Sequence, residues 1–77
     1  MKLELDRAAD AAYVALSEDG FKKTRKLDQN RLLDLDESGA VVGIEFLNIS
    51  GGVDLRDLPR RGELRKLFDE RQINQLT

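Results

Sequence analysis

Residues 32–47 read Leu32-Leu33-Asp34-Leu35-Asp36-Glu37-Ser38-Gly39-Ala40-Val41-Val42-Gly43-Ile44-Glu45-Phe46-Leu47. Leu33 and Leu35 alternate with Leu32, Asp34 and Asp36, the period of two expected of a strand with one buried face. Asp36 to Gly39 is strong hairpin chemistry, with Gly39 suited to a positive φ. Beyond it, Val42, Ile44 and Phe46 define one face, and Val41, Gly43 and Glu45 the other. A strand, a tight turn and a second strand follow from this stretch alone.

The same period extends upstream. Leu3 and Leu5 alternate with Lys2, Glu4 and Asp6. After a polar break at residues 7–10, Ala12, Val14 and Leu16 alternate with Ala11, Tyr13 and Ala15. Glu18-Asp19-Gly20 is a turn signal. Residues 22–28 are polar and lysine-rich, which suits an edge strand, because lysines there discourage edge pairing. Five short strands with turns every eight to twelve residues predict an antiparallel meander.

Past Ser50-Gly51-Gly52 the period changes. Residues 53–58 read as a bridging segment, and Pro59 fits the first turn of a helix. Leu64, Leu67, Phe68 and Ile73 form one apolar stripe near helical spacing. Gly62 weakens the start, so regular helix is expected from about Glu63, within residues 62–73. The fold class predicted is α+β: a five-stranded antiparallel sheet (1–50), then a bridge and one C-terminal helix (51–77), in a single domain of 77 residues.

Composition narrows the chemistry. The chain has no cysteine, histidine or tryptophan. Disulfides, thiolate or imidazole metal sites, and Cys or His nucleophiles are therefore outside its means. A chain this short buries roughly 60–65% of its unfolded surface, and such a core rarely supplies more than about 3–5 kcal/mol of net stability. Self-association or a stable protein partner is expected on that ground. With no secretory signal at Met1-Lys2-Leu3-Glu4 and no apolar run of membrane-spanning length, the cytoplasm is the expected compartment.

The net charge of −2 is unevenly spread: −3 over residues 1–20, +4 over 21–31, −5 over 32–54 and +2 over 55–77. Opposed patches of this kind steer encounter with partners. Two basic clusters stand out as a partner surface. Lys22, Lys23, Arg25 and Lys26 lie on the polar strand, and Arg60, Arg61, Arg65 and Lys66 lie at the helix start, where cations meet the dipole unfavourably. The first cluster could also hold phosphates, but only Phe21 is beside it for stacking, and no nucleic-acid-binding motif is present.

Asp34, Asp36, Ser38, Gly39 and Glu45 occupy positions 1, 3, 5, 6 and 12 of a calcium-loop pattern. The flanks read as strands rather than the helices such a loop needs, so an Asp/Ser/Gly turn is the better reading. Asp34, Asp36 and Glu45 nonetheless remain the carboxylates from which a divalent-metal or small-ligand site would be built. Asp34 and Asp36 share a strand face, with Glu45 expected across from one of them. Tyr13, flanked by alanines, reads as a packing anchor; no activating neighbour for its phenol is apparent. The serines have no nucleophile-elbow setting, and the glycines form no phosphate loop. No cofactor is implied.

Two segments carry a resemblance. Leu5 to Leu16 resembles a "YDxEADALYIxL" opening, and Asp34 to Ser50 a "DxDxxGxVVGIEILxAS" close. Together they are similar to the small prokaryotic family called domain of unknown function 2283, over residues 3–50. Arg7-Ala8 replaces the usual Pro-Glu, Ala12 a leucine and Phe46 an aliphatic residue; these are packing and turn positions. The resemblance implies a compact, mainly antiparallel β domain. It transfers no activity or catalytic residues. It also implies small gene neighbours, some resembling toxin–antitoxin pairs. The function expected is a non-enzymatic protein-interaction module, with an antitoxin-like role its sharpest form; a carboxylate metal site and a nucleic-acid-binding strand are the alternatives.

Overall fold

A computed structural model describes residues 1–76. Five strands are present: β1 (Lys2–Asp6), β2 (Ala11–Ala15), β3 (Lys23–Asp28), β4 (Arg31–Leu35) and β5 (Val41–Leu47). A 3₁₀ turn (Ile49–Gly51) and one helix, α1 (Arg61–Glu70), follow. This is the antiparallel sheet with a C-terminal helix that the alternation and the change of period imply. All neighbours in the sheet are antiparallel, in the order β1-β2-β5-β4-β3. The five strands are therefore not one continuous meander as the turn spacing predicts: β2 pairs with β5 instead of β3, so a β1–β2 hairpin and a β3–β4–β5 meander are two units joined where β5 meets β2. The lysine-rich segment is an edge strand, as its composition suggests.

Register sorts the two faces. Leu3, Val14, Ile44 and Leu33 lie side by side in one row across four strands, and all four are buried. A row on the opposite face runs Glu4, Tyr13, Glu45, Leu32 and Lys26. The apolar row is covered by the chain after Ser50. Val53, Leu55 and Leu58 of the bridge enter the core, followed by Leu64 and Phe68 of α1. Phe46 and Phe68 meet edge to face with centroids 5.1 Å apart, a geometry worth about 0.5–1.5 kcal/mol beyond area burial.

The helix limits differ from expectation. Helix α1 starts at Arg61, two residues before Glu63, because Arg60 turns into the left-handed region (φ 54°) and the Arg60 carbonyl accepts the Leu64 N–H. Pro59 therefore precedes the cap instead of lying in the first turn. The helix stops at Glu70, so Ile73 is not on its stripe. Gln72 adopts φ 58°, its N–H bonds to the Asp69 carbonyl, and the Ile73 N–H returns to the Phe68 carbonyl at 2.9 Å. That closure is a Schellman motif, which folds the following apolar residue back onto the last turn. Ile73 still reaches the core. Residues 74–76 then run beside Val53, whose N–H bonds to the Asn74 carbonyl and whose carbonyl accepts the Leu76 N–H.

Candidate functional site

The open face of the sheet carries a hydrogen-bonded strap across its centre. Tyr13 of β2 reaches over β5 and donates its phenol proton to Asp34 Oδ2 of β4, at 2.6 Å. Thr24 of β3 donates to Asp34 Oδ1 at 2.7 Å. The ring crosses β5 at Gly43, where a Cβ would fall on Tyr13 Oη and lie 2.6 Å from Cζ. A glycine inside a strand here marks a close side-chain approach. Tyr13 thus has the partner that its alanine neighbours do not reveal. Burial first, then the bond to Asp34 and the nearby carboxylates of Glu45 and Glu4, push the phenol up to about 12. It stays protonated at neutral pH and acts as a donor.

The three carboxylates considered for a metal are kept apart in use. Asp36 caps its own hairpin: Oδ1 accepts the Ser38 hydroxyl and the Ser38 and Ala40 N–H groups, with Gly39 at φ 90°. Those donors hold the Asp36 carboxyl below its ordinary value. Asp34 is committed to Tyr13 and Thr24. Glu45 is exposed and pairs with Leu32 and Tyr13, whereas Asp34 pairs with Gly43; Glu45 lies across from neither aspartate. Asp36 falls beyond the end of β4, so it does not share a strand face with Asp34. Among the described residues, no three acidic side chains converge as a cation site.

The basic clusters separate into free and engaged cations. Lys22 bonds to Glu37 across the hairpin at 2.9 Å, both side chains being exposed. Lys23, Arg25 and Lys26 lie on β3, exposed, with no ion-pair partner among the described residues. Arg60 is structural: it donates to the Leu16 carbonyl at 2.9 Å and pairs with Glu63 in the first turn of α1. Glu63 offsets the cations crowding the helix N-terminus, and Arg60 holds the Glu63 carboxyl low. Arg61 is exposed, and Arg65 is half-buried with a long contact to Gln75 at 3.4 Å. No hydrogen bond or ion pair joins the 22–26 cluster to the 60–65 cluster among the described residues.

Arg31, the last cation of the basic segment, points inward and is 5% exposed. Its Nε and Nη2 grip Asp28 Oδ2 at 2.9 and 2.8 Å, and Nη1 donates to the Asp54 and Arg56 carbonyls at 3.2 and 2.6 Å. It ties the bridge to the sheet. Hydrogen bonding from Arg31 holds the Asp28 carboxyl low, and hydrogen bonding from Arg56, with Arg31 nearby, does the same for Asp54. A second pin joins the ends of the sheet region. Asp10 (φ 54°) accepts the Ser50 N–H and hydroxyl, at 3.0 and 2.7 Å, and its carbonyl accepts the Ile49 N–H.

The two motif segments therefore pair along β2 and β5, and side chains join them at two further places, Asp10–Ser50 and Tyr13–Asp34 over Gly43. Both contacts are structural pins. The chain belongs to the family described as protein of unknown function (DUF2283), whose family model matches residues 2–50. The bridge, α1 and the tail lie outside that match. No curated protein and no solved structure matches the chain. No helix among the described residues is long and apolar enough to cross a membrane.

Proposed function

We propose that this DUF2283 member is a non-enzymatic protein-interaction module of the cytoplasm, with β3 as its contact edge and an antitoxin-like role toward a small partner as the sharpest form. One observation carries the reading. Strand β3 ends the sheet with one side unpaired, and it bears three exposed cations free of ion pairs among the described residues, while Arg31 and Arg60 are spent on the fold. Free cations on a rigid edge favour encounter with an acidic surface. The shifted carboxylates, Asp28, Asp36, Asp54 and Glu63, are all held low by donors or cations, a direction suited to ion pairs rather than to proton donation.

The test is co-purification of the tagged full chain from its native cell. The captured protein is identified, expressed alone and recombined with wild type and with Lys23→Glu/Arg25→Glu/Lys26→Glu. A stoichiometric complex that re-forms with wild type and not with the triple variant supports the reading. Repeated absence of any stoichiometric partner, or equal binding by the triple variant, refutes it.

A further inference from the structure

Building on that reading, we propose that β3 takes an acidic, extended peptide segment as a sixth strand. The register of β3 against β4 is regular over Lys23, Thr24, Arg25 and Lys26, before a bulge at Leu27 breaks it. Four residues of unpaired edge offer about 13 Å of backbone for strand addition.

The side chains decide which strand fits. Lys23 and Arg25 project on the face of their partners Leu35 and Leu33, and Lys26 projects on the other face with Leu32. An incoming strand would thus have cations beside it on both faces. A second copy's β3 carries the same cations and is repelled, which is how lysine protects edges from self-pairing. The same charges attract a strand whose side chains are carboxylates, so one device rejects the copy and selects the partner. Phe21 adds an apolar end to the site. It is 60% exposed, just ahead of β3, and the adjoining Lys22 N–H is bonded to the Leu35 carbonyl at 2.8 Å. An apolar residue at one end of the acidic segment would cover its ring. The occupant is therefore an extended acidic segment with a terminal apolar residue.

The probe is a fluorescein-labelled peptide of consecutive glutamates, which puts carboxylates on both faces of a strand, ending in leucine and read by anisotropy against the full chain. Its counterpart has the same side chains with alternate backbone nitrogens methylated, which removes strand hydrogen bonds and keeps the charge. Expected results are saturable binding that weakens with salt, at least about tenfold loss on N-methylation, and a similar loss with Arg25→Glu/Lys26→Glu. Phe21→Ala is expected to weaken binding several-fold, and the 23–26 amides to gain hydrogen-exchange protection. Equal binding of the methylated peptide overturns strand addition, as does stronger competition by a uridine oligonucleotide or no binding at about 1 mM protein. The two readings fail separately. If the native partner still re-forms its complex in a β3-dependent way while the peptide does not bind, strand addition falls and the interaction module stands; if neither binds, both fall.

Discussion

Replacing Gly43 by alanine tests the strap across the open face. Gly43 has an ordinary negative-φ backbone, since the positive-φ glycines are Gly39 and Gly52. Alanine on its own therefore stabilises by about 0.5–1 kcal/mol, through reduced freedom of the unfolded chain. The new methyl group, however, falls on Tyr13 Oη and within 2.6 Å of Cζ, so the ring must swing away and lose Asp34. A hydrogen bond to a charged group contributes about 1.5–3 kcal/mol. The net expectation for Gly43→Ala is a loss of about 1–2 kcal/mol, which lowers Tm by about 4–8 °C for each kcal/mol in a domain of this size. In a Tyr13→Ala background the clash is gone, and the same change should stabilise by about 0.5–1 kcal/mol. The sign reversal is the test, read by urea denaturation of the four proteins of the cycle with circular dichroism. Tyr13 is the only tyrosine and there is no tryptophan, so the emission of Gly43→Ala reports directly on whether the phenol has left the carboxylate. Equal destabilisation in both backgrounds would show that the ring is not what forbids a side chain at Gly43.

Four further outcomes are expected. Arg31→Met leaves the Asp54 and Arg56 carbonyls without their donor and costs about 3–5 kcal/mol, as much as the whole stability expected of a chain this size; a denaturation midpoint near wild type would contradict the clamp. Tyr13 is raised from 10 to about 12 on folding, so its contribution is present below pH 10 and is lost as pH rises toward 12. Ultraviolet titration should show that shift, and Asp34→Asn should lower the midpoint. Asp28 and Asp54 are held low, so their contribution is present above the ordinary carboxylate range near about 4 and is lost as pH falls below it; Tm against pH should fall there more steeply in wild type than in Asp28→Asn. Asp10→Ala should cost about 1–2 kcal/mol, and Ser50→Ala less, because its backbone N–H bond survives; equal losses in thermal melts would count against the pin.

Much of this architecture was legible because it is local. Alternation at Ile44 and Phe46 fixes their common face, Asp36 and Gly39 carry their own turn, and the lysines of β3 mark an edge, whereas the irregularity at Val42 sets Val41, expected on the other face, opposite Leu35 and against the core. Helix limits were less legible: the start lies at a left-handed Arg60, whose side chain also bonds the Leu16 carbonyl forty-four residues away in sequence, and the end at a left-handed Gln72 where a glycine would have been the usual signal. Gly43 was the one readable sign of the strap. A glycine between β-branched Val42 and Ile44 points to close approach, but not to the ring that makes it.

Arg31 and Arg25 show where local reading stops. Both belong to one basic run, and composition treats them alike. Arg31 is buried and bonded to a segment more than twenty residues on, whereas Arg25 faces solvent. By itself the sequence determined an apolar side for the strands other than the polar β3, where the chain turns, and that a helix closes it, since period and turn chemistry act between near neighbours. Only the tertiary structure decided that β5 lies between β2 and β4, and with it that Tyr13 meets Asp34 and which cations remain free. A period of two assigns a residue to a face but names no neighbouring strand, and a hydrogen bond or ion pair depends on the few ångströms that the neighbour sets.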